Sequence, residues 1–84
     1  GIIVKVKDVD TGTYGNATFV ISDDGKDTEG KTLDVFRCFN IDGAKWTEET
    51  KGILVPGKKV VVSGTLLDYN GTKEIKGGNL ISIK

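Results

Sequence analysis

Asn70-Gly71 divides residues 60–84, VVVSGTLLDYNGTKEIKGGNLISIK, into two arms rich in β-branched residues. Asn and Gly both tolerate positive φ, so the pair favours the tight turn of an antiparallel hairpin. Each arm has glycine inside it, Gly64 in the first and Gly77-Gly78 in the second. Glycine within a strand marks a bulge or a sharp bend. A chain of 84 residues that commits this much to one bent hairpin has room for a single domain, residues 1–84, and one small core.

The remainder of the chain also reads as strands. Residues 1–9, GIIVKVKDV, alternate, with Ile2, Val4 and Val6 on one face and Ile3, Lys5 and Lys7 on the other. Residues 10–16, DTGTYGN, are turn chemistry. Residues 17–22, ATFVIS, form the next strand, with Ala17, Phe19 and Ile21 sharing a face and Thr18 and Val20 opposite. A polar loop, residues 23–31, leads to a third strand over residues 32–40, TLDVFRCFN. Alternation there puts Leu33, Val35, Arg37 and Phe39 on one side and Asp34, Phe36 and Cys38 on the other. The pattern then breaks. Thr47 with Glu48 and Glu49 behind it reads as the capped start of a helix, and Gly52 limits that helix to about one or two turns. Pro56-Gly57 turns the chain into a fourth strand, residues 58–69, and the fifth follows over residues 72–84.

The resulting order is β-β-β-α-β-β. Together with YGNATFVISDDG (residues 14–25), VFR (35–37), VPGKKVVVSGTLLDYNGTKEI (55–75) and GGNLISI (77–83), it resembles the OB-fold nucleic-acid-binding superfamily. The likeness is nearest to the small OB modules of bacterial cell-surface and secreted proteins, and it covers nearly the whole chain. It implies an all-β fold: a five-stranded Greek-key barrel with one short helix between the third and fourth strands. It implies a ligand groove flanked by two loops, residues 10–16 and 68–72. It also implies a location outside the cytoplasm, at a bacterial cell surface. The chain begins with Gly rather than Met and shows no signal peptide, and it is read as a domain excised from a larger protein, monomeric when isolated.

Composition narrows the chemistry. Twelve basic residues balance twelve acidic ones, whereas phosphate-binding domains usually carry a basic excess. Tight non-specific binding to nucleic acid is therefore disfavoured. No apolar run is long enough to span a bilayer, so no membrane insertion is expected. The chain has no His, hence no ready general base near neutral pH. Ser22, Ser63 and Ser82 have no evident base beside them, and the glycines form neither a nucleophile elbow nor a phosphate cradle. The chain is expected not to be an enzyme and to use no cofactor. Asp23, Asp24, Asp27 and Glu29 lack the spacing of a calcium loop and read as a solvated tip, so no metal is expected. Cys38 is alone in an apolar run and reads as a small strand residue.

The candidate site residues are few. Phe36 points outward if Leu33 and Val35 point inward. It then either stacks a base or packs beneath a loop or the helix. Arg37 would turn inward under strict alternation, where it would need an acid; a bulge would instead set it beside Phe36. Thr18 and Val20 lie on the face opposite Phe19 and complete the surface. Tyr14 and Tyr69 sit in the two flanking loops, and Lys73 stands just past the second. Trp46, directly before Thr47 and among Ile41, Ile53 and Leu54, reads as a structural plug rather than a ligand contact. Two ligand classes remain, single-stranded nucleic acid and oligosaccharide, beside a spacer with no ligand.

Overall fold

The computed structural model describes residues 1–28, 30–69 and 72–84, without the side chains of Tyr69 and Thr72. The expected Asn70-Gly71 turn and Glu29 lie outside the described residues. The chain forms five strands: β1 (Ile2–Val9), β2 (Ala17–Ser22), β3 (Thr32–Cys38), β4 (Val60–Tyr69) and β5 (Thr72–Ile83). They make one all-β sheet in the order β1-β2-β3-β5-β4. Neighbours are antiparallel except β3 and β5, which run parallel with Phe36 opposite Lys76. A parallel pair needs a long connection. Here it comprises residues 39–71, which include the whole of β4.

The outer strands β1 and β4 meet at one end only. Ile3 N–H donates to Lys58 O, Gly57 N–H to Ile3 O, and Val60 N–H to Gly1 O, each at 2.8 Å. Ile2 and Lys59 form an isolated antiparallel bridge. Among the described residues no further backbone pairing joins β1 to β4, so the five strands form a curved sheet rather than a continuous closed ladder.

The core gathers Ile3, Phe19, Val35, Trp46, Leu54, Val60 and Leu80, all nearly inaccessible to solvent. Val60 and Val62 feed it, while Val61 faces out. Two expectations from alternation fail here because of bulges. In β1, register shifts between Ile3 and Lys5 and between Val6 and Asp8 bring Ile3, Val6 and Val9 together against the core, although strict alternation puts Ile3 and Val6 on opposite faces. In β3, a shift opposite Thr18 reverses the parity of everything after Phe36. Cys38 is thereby buried in the core and Arg37 turned out.

The expected helix after Thr47 is not formed. The Thr47 carbonyl accepts from the N–H groups of Thr50 (3.1 Å) and Lys51 (2.9 Å), and one turn is all that follows. Two 3-10 turns, Ile41–Gly43 and Lys51–Ile53, occupy the segment. Nucleating a helix is costly, and Thr47, Thr50 and Ile53 are β-branched while Gly52 favours the coil. Trp46 is structural without a helix behind it. Its indole Nε1–H donates to Cys38 O at 2.9 Å, and its backbone N–H donates to Gly15 O at 2.8 Å. One residue thus ties the β1–β2 loop to the end of β3.

The expected bends at Gly64 and Gly77-Gly78 coincide. The β4–β5 register shifts between Ser63 and Thr65, and Gly78 lies so close to β4 that a Cβ on it would sit 1.4 Å from Ser63 O. No helix among the described residues is long and apolar enough to cross a membrane.

Candidate ligand-binding face

The bulge in β3 assembles the most distinctive feature of the outer surface. Ala17 pairs with Cys38 and Phe19 with Val35, so Phe36 and Arg37 together oppose Thr18. Arg37 takes φ of 56°, in the left-handed region. Its N–H donates to Thr18 Oγ1 at 3.3 Å, which holds the bulge. The result is that two consecutive side chains both project outward. The Arg37 guanidinium carbon lies 5.0 Å from the centre of the Phe36 ring. A cation over an exposed ring contributes ~0.5–1 kcal/mol, which goes some way to offset an unfavourable φ.

Phe36 is 36% exposed. It lines a groove of about 430 Å³ with Leu67, Asp68, Glu74 and Lys76. The β3–β5 pairing brings Lys76 beside Phe36 and Glu74 beside Asp34. Leu67 faces the groove because it pairs with Glu74 across the β4–β5 hairpin. These hairpin residues are absent from the sequence-based site. Only the parallel β3–β5 register reveals them, and no local pattern encodes that register.

Charge on this face is balanced. Asp34 pairs with Lys7 at 3.4 Å, and Lys5 with Asp27 at 3.2 Å on the same sheet. Around Phe36 stand the cations Lys7, Arg37 and Lys76 and the anions Asp34, Asp68 and Glu74. Such a face offers stacking area and hydrogen bonds but no strong positive field.

The remaining candidates are dispersed. Val20 is only 2% exposed, so its side chain offers nothing to a ligand; Lys5 and Asp34 flank it in register and the surface closes over it. Thr18 is half-buried, and its hydroxyl is already an acceptor for Arg37. Tyr14 is 66% exposed in the β1–β2 loop. Lys73 is not in the Phe36 groove. It lies with Leu66 and Ile75 on the other face of the hairpin, at a separate groove of about 620 Å³. The side chain of Tyr69 lies outside the described residues.

The β1–β2 loop is held firmly. Both Asp10 carboxylate oxygens accept backbone bonds, from Gly12 (2.9 Å) and Thr13 (3.2 Å) on one and from Tyr14 (3.1 Å) on the other. The bonds from Gly12 and Tyr14 dominate in holding the Asp10 pKa below its ordinary value. Thr11 Oγ1–H donates to Glu48 Oε1 at 2.8 Å, and Glu48 is paired with Lys51 at 2.6 Å. Lys51 first and Thr11 second lower the Glu48 pKa. Tyr14 is thus presented from an anchored loop.

Burial pushes the Cys38 thiol up to about 12, so it is neither a nucleophile nor a thiolate ligand near neutral pH. Among the described residues no group of three or more Cys, Asp or Glu is placed to hold a metal. What the face can do chemically is stack a ring and pair with polar groups. No protein-family model, curated protein or solved structure matches the chain.

Proposed function

We propose that the chain is a module that binds short single-stranded nucleic acid weakly, on an OB-type barrel. The observation that carries this reading is the outward, half-exposed Phe36 with the Arg37 guanidinium over its ring. An aromatic platform with an adjacent cation stacks a base and meets the neighbouring phosphate, and base stacking is worth ~1–3 kcal/mol. Tyr14, from its anchored loop, is a second platform. Support for the barrel comes from the strand order with β3 parallel to β5 and from the hydrogen bonds between residues 1–3 and 57–60. Affinity is micromolar or weaker, because the face carries as many anions as cations and the whole chain has no net charge.

That same balance favours a second reading, a carbohydrate-binding or accessory module of a larger bacterial cell-surface protein. A sugar ring stacks on Phe36 without needing a positive field. Amide shifts followed during titration with short single-stranded DNA and RNA and with neutral oligosaccharides separate the two. Shifts at Thr18, Phe36, Arg37 and Tyr14 with oligonucleotide, weakened by salt, support the first. Salt-independent shifts with a sugar alone support the second.

A further inference from the structure

Among the described residues both outer strands have a free side beyond the contacts of residues 1–3 with 57–60, but the two are not alike. β1 carries Lys5 and Lys7, the residue type that discourages a second strand from docking on an edge. The stretch of β4 past Val60, residues 61–68, VVSGTLLD, has neither Lys nor Pro. Among the described residues it pairs with β5 on one side and with nothing on the other. Leu66 there is 66% exposed.

That free side is already set for an antiparallel neighbour. Gly1 and Val60 exchange both backbone hydrogen bonds, the Gly1 nitrogen donating to Val60 O and the Val60 N–H to Gly1 O, each at 2.8 Å. A strand laid along residues 61–68 continues this ladder in line with β1. Next to the edge runs the groove of about 620 Å³, whose walls include Leu33, Val62, Leu66 and Ile75 and whose lining includes Lys31 and Lys73. Asp23 also lines it. Among the described residues neither lysine has a carboxylate partner.

We propose that the free edge of β4 takes up an extended peptide segment of a partner protein. The segment runs antiparallel to β4, with alternate apolar side chains in the groove and acidic residues meeting Lys31 and Lys73. Backbone bonds supply affinity and the groove supplies selectivity, the usual division in strand addition. A second copy of this chain is a poorer occupant: its β1 would bring Lys5 and Lys7 toward Lys31 and Lys73, and the free stretch of its β4 offers those two lysines a single acid, Asp68.

The test titrates the isotope-labelled 84-residue protein with a capped eight-residue peptide that alternates Val and Thr between terminal Glu residues. A peptide with terminal Lys residues is the comparison. Expected are amide shifts along residues 61–68, intermolecular contacts in antiparallel register, and a preference for the Glu peptide of about tenfold. The doubly substituted protein, Lys31→Glu with Lys73→Glu, should reverse that preference, and Phe36→Ala should leave it unchanged. Equal binding of the two peptides, no shifts along residues 61–68 at millimolar peptide, or loss of binding in Phe36→Ala would overturn the proposal. Self-association of the protein through residues 61–68 would do so as well.

Discussion

Arg37 reaches the Phe36 ring, at 5.0 Å, only by adopting φ of 56°, a conformation that L-residues avoid. The bulge therefore stores local strain and presents a cation and an aromatic ring together. This relationship reverses an ordinary ranking. Within a strand, Ala is normally better tolerated than Gly. At position 37, Arg37→Gly should be more stable than Arg37→Ala by about 1 kcal/mol, because Gly adopts positive φ without penalty. Urea unfolding of the two variants measures the difference. The opposite order would mean that the bulge is not strained.

Trp46 should dominate stability. It is 1% exposed, and its indole bonds Cys38 O. Trp46→Ala should cost ~3–5 kcal/mol, a large share of what a domain of this size has. Trp46→Phe should cost less, since it keeps most of the volume and loses one hydrogen bond. A melting temperature for Trp46→Ala near that of the parent would contradict the core described above.

Gly78 and Gly52 should respond very differently to a methyl group. A Cβ on Gly78 would meet Ser63 O at 1.4 Å, whereas a Cβ on Gly52 would find nothing within 4 Å. Gly78→Ala must push β4 and β5 apart and should destabilise by more than ~2 kcal/mol. Gly52→Ala should change stability by less than ~0.5 kcal/mol. Denaturation midpoints of the pair test how closely the two strands cross.

Acid should loosen the anchored β1–β2 loop. Asp10 accepts three backbone N–H groups when ionised, and its folded pKa lies below the ordinary value of 3.8. The unfolded chain then binds more protons than the folded one between the two values. The contribution of Asp10 is full above 3.8 and is lost as pH falls through the depressed folded value. Glu48 adds a contribution of the same sign. Asp10→Asn should therefore flatten the fall of stability with decreasing pH below the ordinary carboxylate range. An unchanged acid limb in that variant would show that the loop contacts carry no linkage.

Much of the strand layout was legible from residue patterns. β2 was read with the observed limits because Phe19 and Ile21 alternate with Thr18 and no bulge falls within residues 19–22. Gly64 and Gly77-Gly78 mark real irregularities: a Cβ on Gly64 or Gly78 would collide where β4 and β5 touch, and Gly77 takes φ of 70°. The errors in strand faces share one cause. A bulge adds a residue without changing composition, so period-two reasoning separates Ile3 from Val6 in β1 and sets Cys38 opposite Val35 in β3. Thr47 carries cap chemistry and does bond the Thr50 N–H at 3.3 Å, but a cap does not make a helix where Gly52 follows. At the candidate face, the outward direction of Phe36 is legible from alternation, and Arg37 lies beside it as a bulge requires. Leu67, Glu74 and Lys76 were missed because a parallel pairing between distant strands leaves no local signature. Lys73 was misplaced because its face depends on the β4–β5 register.

The most direct test of the proposed function compares the parent protein with Phe36→Ala in binding a short single-stranded oligonucleotide over a range of salt concentrations. Thermal melting monitored through Trp46 establishes that both are folded. Removing the platform should weaken binding by about tenfold or more. The log–log salt slope, near −0.7 for the one phosphate that Arg37 meets, should stay the same, because that contact remains. Equal affinities for the two folded proteins, or no binding by either at millimolar oligonucleotide, would contradict the account.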